Sequence, residues 1–267
     1  MKVKNKTIVI TGAGNGMGQE MTLLLLQKGA RVAAIDINEN ALKETQRKAG
    51  HLLGNLSTHV ANIADLQVVE QLPQVVLSRH SCIDGLINNA GIIQPFLRLN
   101  DLEYKDIHRV MDINFWGTLY MTKTFLPYLL KRPEAHITNI SSMGGFLPVP
   151  GQSLYGASKA AVKLLTEGLR SELVGTTVGV SIVFPGAIAT NISANSGVVN
   201  PNISQADLKK FNMMSASKAA EIIIEGMESN AYRVLVGKDA SFMDFIYRLN
   251  PKMAANYIQR KMKALLK

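Results

Sequence analysis

A tyrosine and a lysine that could move protons together lie four residues apart, at Tyr155 and Lys159. The surrounding stretch, residues 153–162, is predicted to be helical, and residues at i and i+4 share one helix face. A free phenol, with a pKa of about 10, is a poor base near neutral pH, but a nearby ammonium favours its ionised form. The pair therefore indicates a proton-transfer site, although the same spacing also occurs on many surface helices.

Two further polar residues are candidates for the same site. Ser142 follows a predicted strand, residues 136–140, and precedes Tyr155 by thirteen residues. Asn114 falls inside a long helical pattern, residues 101–131, where asparagine is not favoured; alone, it could equally be an amide between helices. A serine hydrolase is excluded, because Ser142 does not lie in a G-x-S-x-G turn and none of the five histidines pairs with it recognisably.

A glycine-rich turn near the start of the chain, TGAGNGMG at Thr11–Gly18, could bind phosphate. It lies between an apolar run that predicts a strand, residues 7–10, and a predicted helix, residues 19–28. Glycines allow the backbone to approach a pyrophosphate, and the N-terminus of the helix attracts the anion. The spacing G-x-x-x-G-x-G is not the commonest dinucleotide fingerprint and also fits an ordinary turn. No Lys-Ser/Thr follows, so it is not a Walker-type loop.

An acidic residue, Asp36, ends the next predicted strand, residues 31–36, eighteen residues beyond Gly18. Dinucleotide-binding folds place a carboxylate there to bind the adenosine ribose. Its charge would repel a 2′-phosphate, and no arginine or lysine occupies positions 37 or 38, so NAD is predicted rather than NADP. The alternative is that Asp36 caps the helix that follows, residues 38–49.

Predicted strands and helices alternate along the chain, which is typical of an α/β protein with a doubly wound, mostly parallel sheet. Seven strands of this Rossmann-type sheet, helices on both faces and a C-terminal helical tail are expected. Ligands bind beyond the carboxyl ends of such strands, where all of these motifs fall. We expect one domain, residues 1–240, with a substrate lid at about residues 190–212, and a basic helical tail of the same domain, residues 241–267.

The motifs together resemble the classical short-chain dehydrogenase/reductase family, in the same order and over about residues 6–236. The matching motifs are Thr11-Gly12…Gly16-Met17-Gly18, Asn88-Asn89-Ala90-Gly91, Asn114, Ser142, Tyr155…Lys159 and Pro185-Gly186…Thr190. The resemblance implies an oxidoreductase that interconverts a secondary alcohol and a ketone by hydride transfer. Tyr155 would be the general acid/base, with Lys159 lowering its pKa and binding the nicotinamide ribose. Ser142 would hold the substrate oxygen, and Asn114 a water linking Lys159 to solvent.

The resemblance also implies a set of contacts to the cofactor. These residues are Gly12, Asn15, Gly16, Met17, Gly18, Asp36, Ile37, Asn62, Ile63, Asn89, Ala90, Gly91, Tyr155, Lys159, Pro185, Gly186, Ile188 and Thr190. Asn62 departs from the family, since many members carry Asp against the adenine, so an altered adenine contact is expected. No metal is expected, because the nicotinamide carries the redox chemistry.

The expected substrate contacts are mostly apolar. They are Ser142, Gly144, Tyr155, Ile93, Phe146 and Leu147. We therefore predict an apolar, lipid-like alcohol or ketone as the small-molecule substrate. One alternative is a 3-oxoacyl thioester reductase that uses NADPH, which Asp36 disfavours. Another is a dinucleotide-sensing protein without turnover, which the complete Asn114, Ser142, Tyr155 and Lys159 set disfavours.

The charge of the chain is concentrated at its end. Residues 241–267 carry six basic residues and one acid, and so contribute five of the formal net charge of +9. An excess of charge in one terminal segment is more typical of a charged appendage than of a nucleic-acid-binding core, so a nucleic-acid partner is not expected. Asn250-Pro251 is typical of a helix start, and the helix it begins is amphipathic. This helix could lie on a membrane surface; packing on protein is favoured. The family resemblance implies a homodimer or homotetramer.

The rest of the composition indicates a cytoplasmic protein, peripheral to a membrane if the tail binds one. No signal peptide is visible, and no apolar stretch reaches the roughly eighteen residues that a spanning helix needs. Hydrophobic residues make up 47% of the 267 residues, enough for a large core. Cys82 is the sole cysteine, which excludes an internal disulfide.

Overall fold

The structure, a computed structural model, describes residues 1–198 and 213–262. Its strands are Thr7–Thr11 (β1), Arg31–Asp36 (β2), Leu56–Val60 (β3), Gly85–Asn88 (β4), Ala135–Ile140 (β5), Val178–Pro185 (β6), Ile188–Ala189 (β7), Met214–Ser215 (β8) and Arg233–Val236 (β9). Within this part of the chain, seven strands form one parallel sheet in the order β3-β2-β1-β4-β5-β6-β9. The predicted doubly wound sheet is confirmed. Strands β7 and β8 pair separately.

The helices connect the strands and cover the sheet. They are Gly16–Gln27 (α1), Glu39–Ala49 (α2), Leu66–His80 (α3), Tyr104–Met111 (α4), Thr118–Leu129 (α5), Ser153–Glu172 (α6), Ile192–Asn195 (α7), Ala216–Glu228 (α8), Lys238–Leu249 (α9) and Pro251–Lys261 (α10). Among the described residues, no helix combines the length and apolar character that crossing a bilayer requires.

Strand β1 shows why the sheet is buried on both faces. Successive side chains of a strand point to opposite sides: Ile8 and Ile10 pack with α1 and α8, whereas Val9 packs with α3 and α5. All five residues of β1 are buried. Fully burying one such aliphatic side chain contributes about 1.5–3 kcal/mol, so the apolar runs of the sequence fix this layer at the centre of the protein.

The strand order reverses between β1 and β4, the two central strands. In doubly wound sheets the crevice beyond the carboxyl ends at such a point is where ligands bind. Thr11 ends β1, and its hydroxyl oxygen accepts hydrogen bonds from the backbone N–H groups of Asn89 and Ala90, at 3.0 and 3.1 Å. These bonds join the glycine-rich turn to the segment that follows β4.

One predicted helix differs in the structure. The pattern over residues 101–131 is divided into α4, a π-helical segment at Asp112–Gly117, and α5. Asn114 lies in the π-helical segment, whose wider turn changes the register between the flanking helices. The amphipathic spacing does not signal this insertion, because both flanking helices keep an ordinary helical period.

The tail consists of two helices, α9 and α10. Asn250 caps α10, with its side-chain oxygen accepting a hydrogen bond from the Met253 N–H at 3.0 Å, and Pro251 is the first helical residue. Ala254 and Ile258 are buried against Leu147 in a small apolar cluster. Helix α10 thus packs on the protein along one side.

Candidate active site

A cavity of about 270 Å³ lies at the reversal point of the sheet. The predicted cofactor residues that line it are Gly12, Asn15, Gly16, Met17, Asp36, Ile37, Asn62, Ile63, Asn89, Ala90, Gly91 and Thr190. The other lining residues, none of them a predicted cofactor contact, are Ile35, Asn38, Ala41, Ala61, Ile92, Ile113, Asn191, Ile192 and Asn195. Most of the second group are sequence neighbours of the first, and Ile113 alone comes from the π-helical segment.

The glycine-rich turn is closely packed against itself and the segment after β4. A Cβ atom at Gly18 would overlap the carbonyl oxygen of Gly12, so only glycine fits there. The Asn89 amide donates to the carbonyl oxygens of Thr11 and Gly12, at 3.1 and 3.2 Å. The side chain of Asn15 accepts from the Gly16 N–H at 2.7 Å and caps α1. The turn is therefore held in place from both sides.

Asp36 is the only charged residue among the described residues that line the cavity. Its carboxylate accepts hydrogen bonds from the backbone N–H groups of Gly14, at 2.8 Å, and Asn38, at 2.9 Å, one on each oxygen. The cap of α2 is Asn38, whose side chain accepts from the Ala41 N–H. Each oxygen of Asp36 keeps lone-pair capacity for a further donor, as a ribose hydroxyl requires.

Tyr155 and Ser142, two of the predicted catalytic residues, lie close together on either side of Gly144. Tyr155 lies in the first turn of α6, and Ser142 lies just after β5. Burial of the phenol raises the pKa of Tyr155, and its hydrogen bond with Ser142 acts in the opposite direction. The Ser142 oxygen also accepts from the Gly144 N–H at 3.0 Å, which fixes its orientation. Burial outweighs the effect of Ser142, so the pKa of the Tyr155 phenol is raised overall; lowering it is the role predicted from the sequence for Lys159.

The ammonium of Lys159 is buried and points back toward the sheet. Its Nζ donates a hydrogen bond to the carbonyl oxygen of Ile140 at 3.0 Å, and burial lowers the pKa of Lys159 to about 8. A Cβ atom at Gly91 would lie 3.0 Å from this Nζ. Because Gly91 lines the cavity, the absence of a side chain there lets the ammonium reach the cavity wall.

Asn114 is fully buried and holds two parts of the site together. Its amide oxygen accepts from the Ile92 N–H at 2.9 Å, and its amide nitrogen donates to the Ile92 carbonyl oxygen and to Ser158 Oγ. Ser158 in turn donates to the carbonyl oxygen of Tyr155 at 2.7 Å. Asn114 therefore ties α6 to the cavity wall; the resemblance implies a water-binding role in addition.

Gln94 is a positioning residue that sequence reasoning missed. Its side-chain oxygen accepts hydrogen bonds from the Leu154 and Tyr155 N–H groups, at 2.8 and 3.0 Å. Its amide nitrogen donates to the Gly151 carbonyl oxygen. Gln94 is buried and satisfies N–H groups at the start of α6, which any helix must satisfy. No local pattern signals this contact, because the two segments lie about sixty residues apart.

The remaining predicted cofactor residues lie outside the set that lines the cavity. These are Gly18, Tyr155, Lys159, Pro185, Gly186 and Ile188. Pro185 ends β6, the Gly186 N–H donates to the Val236 carbonyl oxygen at 2.9 Å, and Ile188 lies in β7. The sheet therefore brings the glycine turn, Asp36 and the segment after β4 together. On α6, Lys159 reaches that wall at Gly91, whereas Tyr155 is connected to it through Ser158 and Asn114.

The predicted substrate residues separate into two groups. Gly144 lies beside Tyr155, since a Cβ atom there would be 3.4 Å from the phenol ring, and the buried Ile93 directly follows Ile92 of the cavity wall. Phe146 instead packs between other aromatic rings, and Leu147 is buried in the cluster that anchors the tail.

The first part of the predicted lid is described, and residues 199–212 lie outside the described residues. Helix α7 is anchored by Ser196, whose hydroxyl oxygen accepts from the Ile93 N–H at 3.0 Å and donates to the Ile192 carbonyl oxygen. Arg109 donates to the Ser196 carbonyl oxygen. Residues Thr190–Asn195 thus form one wall of the cavity, fixed to the loop after β4.

A doubly wound sheet with a cavity at its reversal point is the arrangement in which dinucleotides bind. The family model for short chain dehydrogenases matches residues 6–199. A relative from Thermotoga maritima, the 3-oxoacyl-acyl-carrier-protein reductase FabG, is 35% identical over 190 residues, which cover 71% of this chain and 77% of FabG. The chain belongs to the short-chain dehydrogenase family.

Two solved structures are similar to this one over nearly their whole length. A short-chain dehydrogenase/reductase from Burkholderia phymatum in complex with NAD has a TM-score of 0.84 and 26% identity, covering 95% of this chain and 96% of its own. One from Burkholderia cenocepacia in complex with NADP has a TM-score of 0.79 and 26% identity, covering 97% and 99%. One of these two similar proteins thus contains NAD, and the other contains NADP. Within residues 1–198 and 213–262, no group of three or more potential metal ligands is found.

Proposed function

We propose that the protein interconverts a secondary alcohol and a ketone, with Tyr155 as the general acid/base and NAD(H) as the cofactor. The observation that carries this proposal is the proximity of Tyr155 and Ser142, since a Cβ atom at Gly144 would lie 3.4 Å from the Tyr155 ring and 3.5 Å from Ser142 Oγ. The Lys159 ammonium lies against Gly91 of the cavity wall. The bound nicotinamide would accept or supply the hydride. The protein itself would supply the rest of the reaction: the transfer of one proton at the Tyr155 hydroxyl and the positioning of the substrate oxygen.

The two neighbours of the phenol have different roles in this proposal. The Ser142 hydroxyl would donate a hydrogen bond to the substrate oxygen and stabilise the negative charge that develops there. In the oxidation direction Tyr155 would take the proton of the substrate hydroxyl, and in reduction it would return it. A positive charge on Lys159, about one helical turn away, favours the ionised phenol during this exchange.

The charges around the cavity support a dinucleotide that lacks a 2′-phosphate. The glycine turn and the start of α1 would hold the pyrophosphate, and Asp36 would accept hydrogen bonds from the adenosine ribose. Among the described residues, the cavity lining contains no lysine or arginine, so nothing there would neutralise an added phosphate. Since the similar structures contain NAD or NADP, this absence of cations and the charge of Asp36 support the choice of NAD.

Replacing Asp36 with alanine should relax the preference against NADP. The ratio of kcat/KM with NAD to that with NADP is expected to fall by about 10- to 100-fold, because a carboxylate no longer faces the dianionic phosphate. Asp36→Asn is the matched control for shape: it removes the charge but keeps an oxygen that can accept from Gly14 or Asn38. Both variants should shift the ratio in the same direction. An unchanged ratio in both would contradict the ribose assignment.

The substrate class is tested with a panel of alcohols and ketones, assayed with NAD(H) and NADP(H). Apolar side chains in the cavity wall, Ile92, Ile113 and Ile192, support an apolar, lipid-like compound, so long-chain secondary alcohols should have the highest kcat/KM. The similarity to a 3-oxoacyl-acyl-carrier-protein reductase favours a second candidate, the NADPH-dependent reduction of 3-oxoacyl thioesters. Turnover of only charged, sugar-like compounds would refute the apolar substrate. Nucleotide binding without any turnover would instead favour a sensing role.

A further inference from the structure

The two tail helices expose a continuous row of large apolar side chains. Phe242, Phe245 and Leu249 follow one another at helical spacing on α9, and Met253 and Tyr257 do so on α10; we call these five residues the tail face. Phe245 is 63% exposed and Leu249 is 68% exposed. The Phe242 and Tyr257 rings contact each other, with centroids 6.2 Å apart, so the rows on the two helices meet. An exposed apolar patch of this kind marks an interaction site.

The charge around the tail face is strongly positive. Its exposed basic residues are Lys238, Arg248, Lys252, Arg260 and Lys261. Of the two acids on these helices, Asp244 is buried and paired with Arg233 at 2.6 Å, and Asp239 accepts a hydrogen bond from the Ala187 N–H at 2.7 Å. Exposed apolar side chains beside exposed cations on the same two helices match an anionic lipid surface.

Other occupants match this surface less well. Two copies of the tail face brought together by a two-fold axis would place one set of cations against the other, which is unfavourable. Nucleic acid would pair with the cations but would leave Phe245, Leu249 and Met253 against phosphates. The interface of an anionic bilayer matches both the apolar residues of the tail face and the cations beside them. The apolar side chains enter the acyl boundary, and lysine and arginine contact the anionic headgroups.

The tail face is also structurally connected to the proposed active site. Phe146, four residues after Ser142, packs against Tyr247 of α9 with ring centroids 5.9 Å apart. Leu147 and Met243 share one buried cluster. The loop that carries the proton-handling serine therefore rests on the helices that present the tail face. A lipid-like substrate drawn from a membrane would arrive on this side, a consequence that rests on the proposed function.

We propose that the tail face binds the surface of an anionic lipid bilayer and holds the protein there as a peripheral protein. The sequence pattern of α10 alone favours packing on protein, and Ala254 and Ile258 do pack in this way. The outward-facing surface arises only when α9 and α10 lie side by side. Binding requires no turnover, so failure of this proposal would leave the proposed reaction untouched.

The test is flotation of the full-length protein with vesicles of phosphatidylcholine, alone or mixed with phosphatidylglycerol. The protein should partition onto the mixed vesicles at least about tenfold more strongly than onto phosphatidylcholine alone, and high salt should weaken the binding. The double variant Phe245→Ser/Leu249→Ser should lose at least about tenfold in partitioning, because two large apolar groups no longer enter the interface. The double variant Lys252→Glu/Arg260→Glu should also lose at least about tenfold in partitioning onto the mixed, anionic vesicles, and its partitioning onto phosphatidylcholine alone should not change.

Matched controls lie elsewhere on the surface. Leu164 and Val174 are 70% and 80% exposed, so Leu164→Ser/Val174→Ser makes a similar apolar change. Lys4→Glu/Arg79→Glu repeats the charge change at two exposed cations elsewhere on the protein. Both controls should float like the unaltered protein, and all variants should keep their melting temperature. The proposal would be overturned if the unaltered protein did not float, or if the tail-face and control variants lost vesicle binding equally. It would also be overturned if the tail-face variants changed only the oligomeric mass measured by light scattering.

Discussion

Tyr155→Phe is expected to lower kcat by about 10³-fold or more while the affinity for NADH changes by less than about twofold. The variant keeps the aromatic ring and removes only the hydroxyl that would exchange the substrate proton. Ser142 lowers the pKa of that hydroxyl against the raising effect of burial, and the ring lies outside the set of residues lining the cavity. The loss should therefore fall on the chemical step, measured by single-turnover kinetics, with NADH affinity measured by fluorescence titration.

Two companion variants separate this role from a structural one. Tyr128→Phe also removes one phenol hydroxyl, which accepts a hydrogen bond from Gln74 at the surface, and it should leave kcat unchanged. Ser142→Ala should lower kcat by about 10²-fold, and it should shift the kinetic pKa of Tyr155 upward because the hydrogen bond that lowers it is gone. Substantial turnover by Tyr155→Phe, or a loss of NADH binding as large as the loss of turnover, would remove Tyr155 from its proposed role.

Much of the fold could be predicted because its strands are short apolar runs buried on both faces. The run at Thr7–Thr11 and the run at Arg31–Asp36 carry their own signal, since only a central parallel strand is apolar on both sides. The cavity followed from the same reasoning: Asp36, Asn89 and the glycine turn all follow strands, and the carboxyl ends of parallel strands meet at one edge. These features depend on local sequence and on one topological rule.

The features that could not be predicted depend on contacts between distant segments. Gln94 meets the start of α6 across about sixty residues, and nothing in its own neighbourhood distinguishes it from a surface glutamine. The π-helical turn at Asn114 preserves the apolar spacing on either side. Leu147 shows the same limit: its apolar type suits a substrate wall and a structural cluster equally, and the packing of α10 determines that it anchors the tail.

Lys159→Met is expected to reduce kcat by about 10²-fold or more and, at pH 7, to make the protein without cofactor more stable. Burial lowers the pKa of Lys159 from an ordinary value of 10.5 to about 8, so holding the charged form inside the folded protein costs about 3 kcal/mol. Methionine removes that cost but leaves the Ile140 carbonyl oxygen without its donor, which costs about 1 kcal/mol. The net gain of about 2 kcal/mol corresponds to a melting temperature higher by about 4–8 °C.

The pH dependence distinguishes this explanation from simple repacking. Below pH 8 the lysine is protonated in both the folded and the unfolded chain, so the full cost of the buried charge is present. Between about pH 8 and 10.5 the folded protein releases the proton while the unfolded chain still holds it, and the stability of the unaltered protein contributed by this group rises with pH. In Lys159→Met that rise should be absent, so the stabilities of the two proteins should converge across this window.

Lys163→Met provides the control, because Lys163 lies one turn further along the same helix and pairs with Glu167 at 3.2 Å near the surface. A pair of this kind contributes little, within about 1 kcal/mol, so this variant should keep its turnover and the pH dependence of the unaltered protein. A Lys159→Met variant that is less stable at pH 7, or one that retains the rise above pH 8, would show that the buried ammonium is not the origin of the effect. The expected combination, lower activity with higher stability, follows if a charge is kept in an unfavourable place because the proton transfer at Tyr155 needs it there.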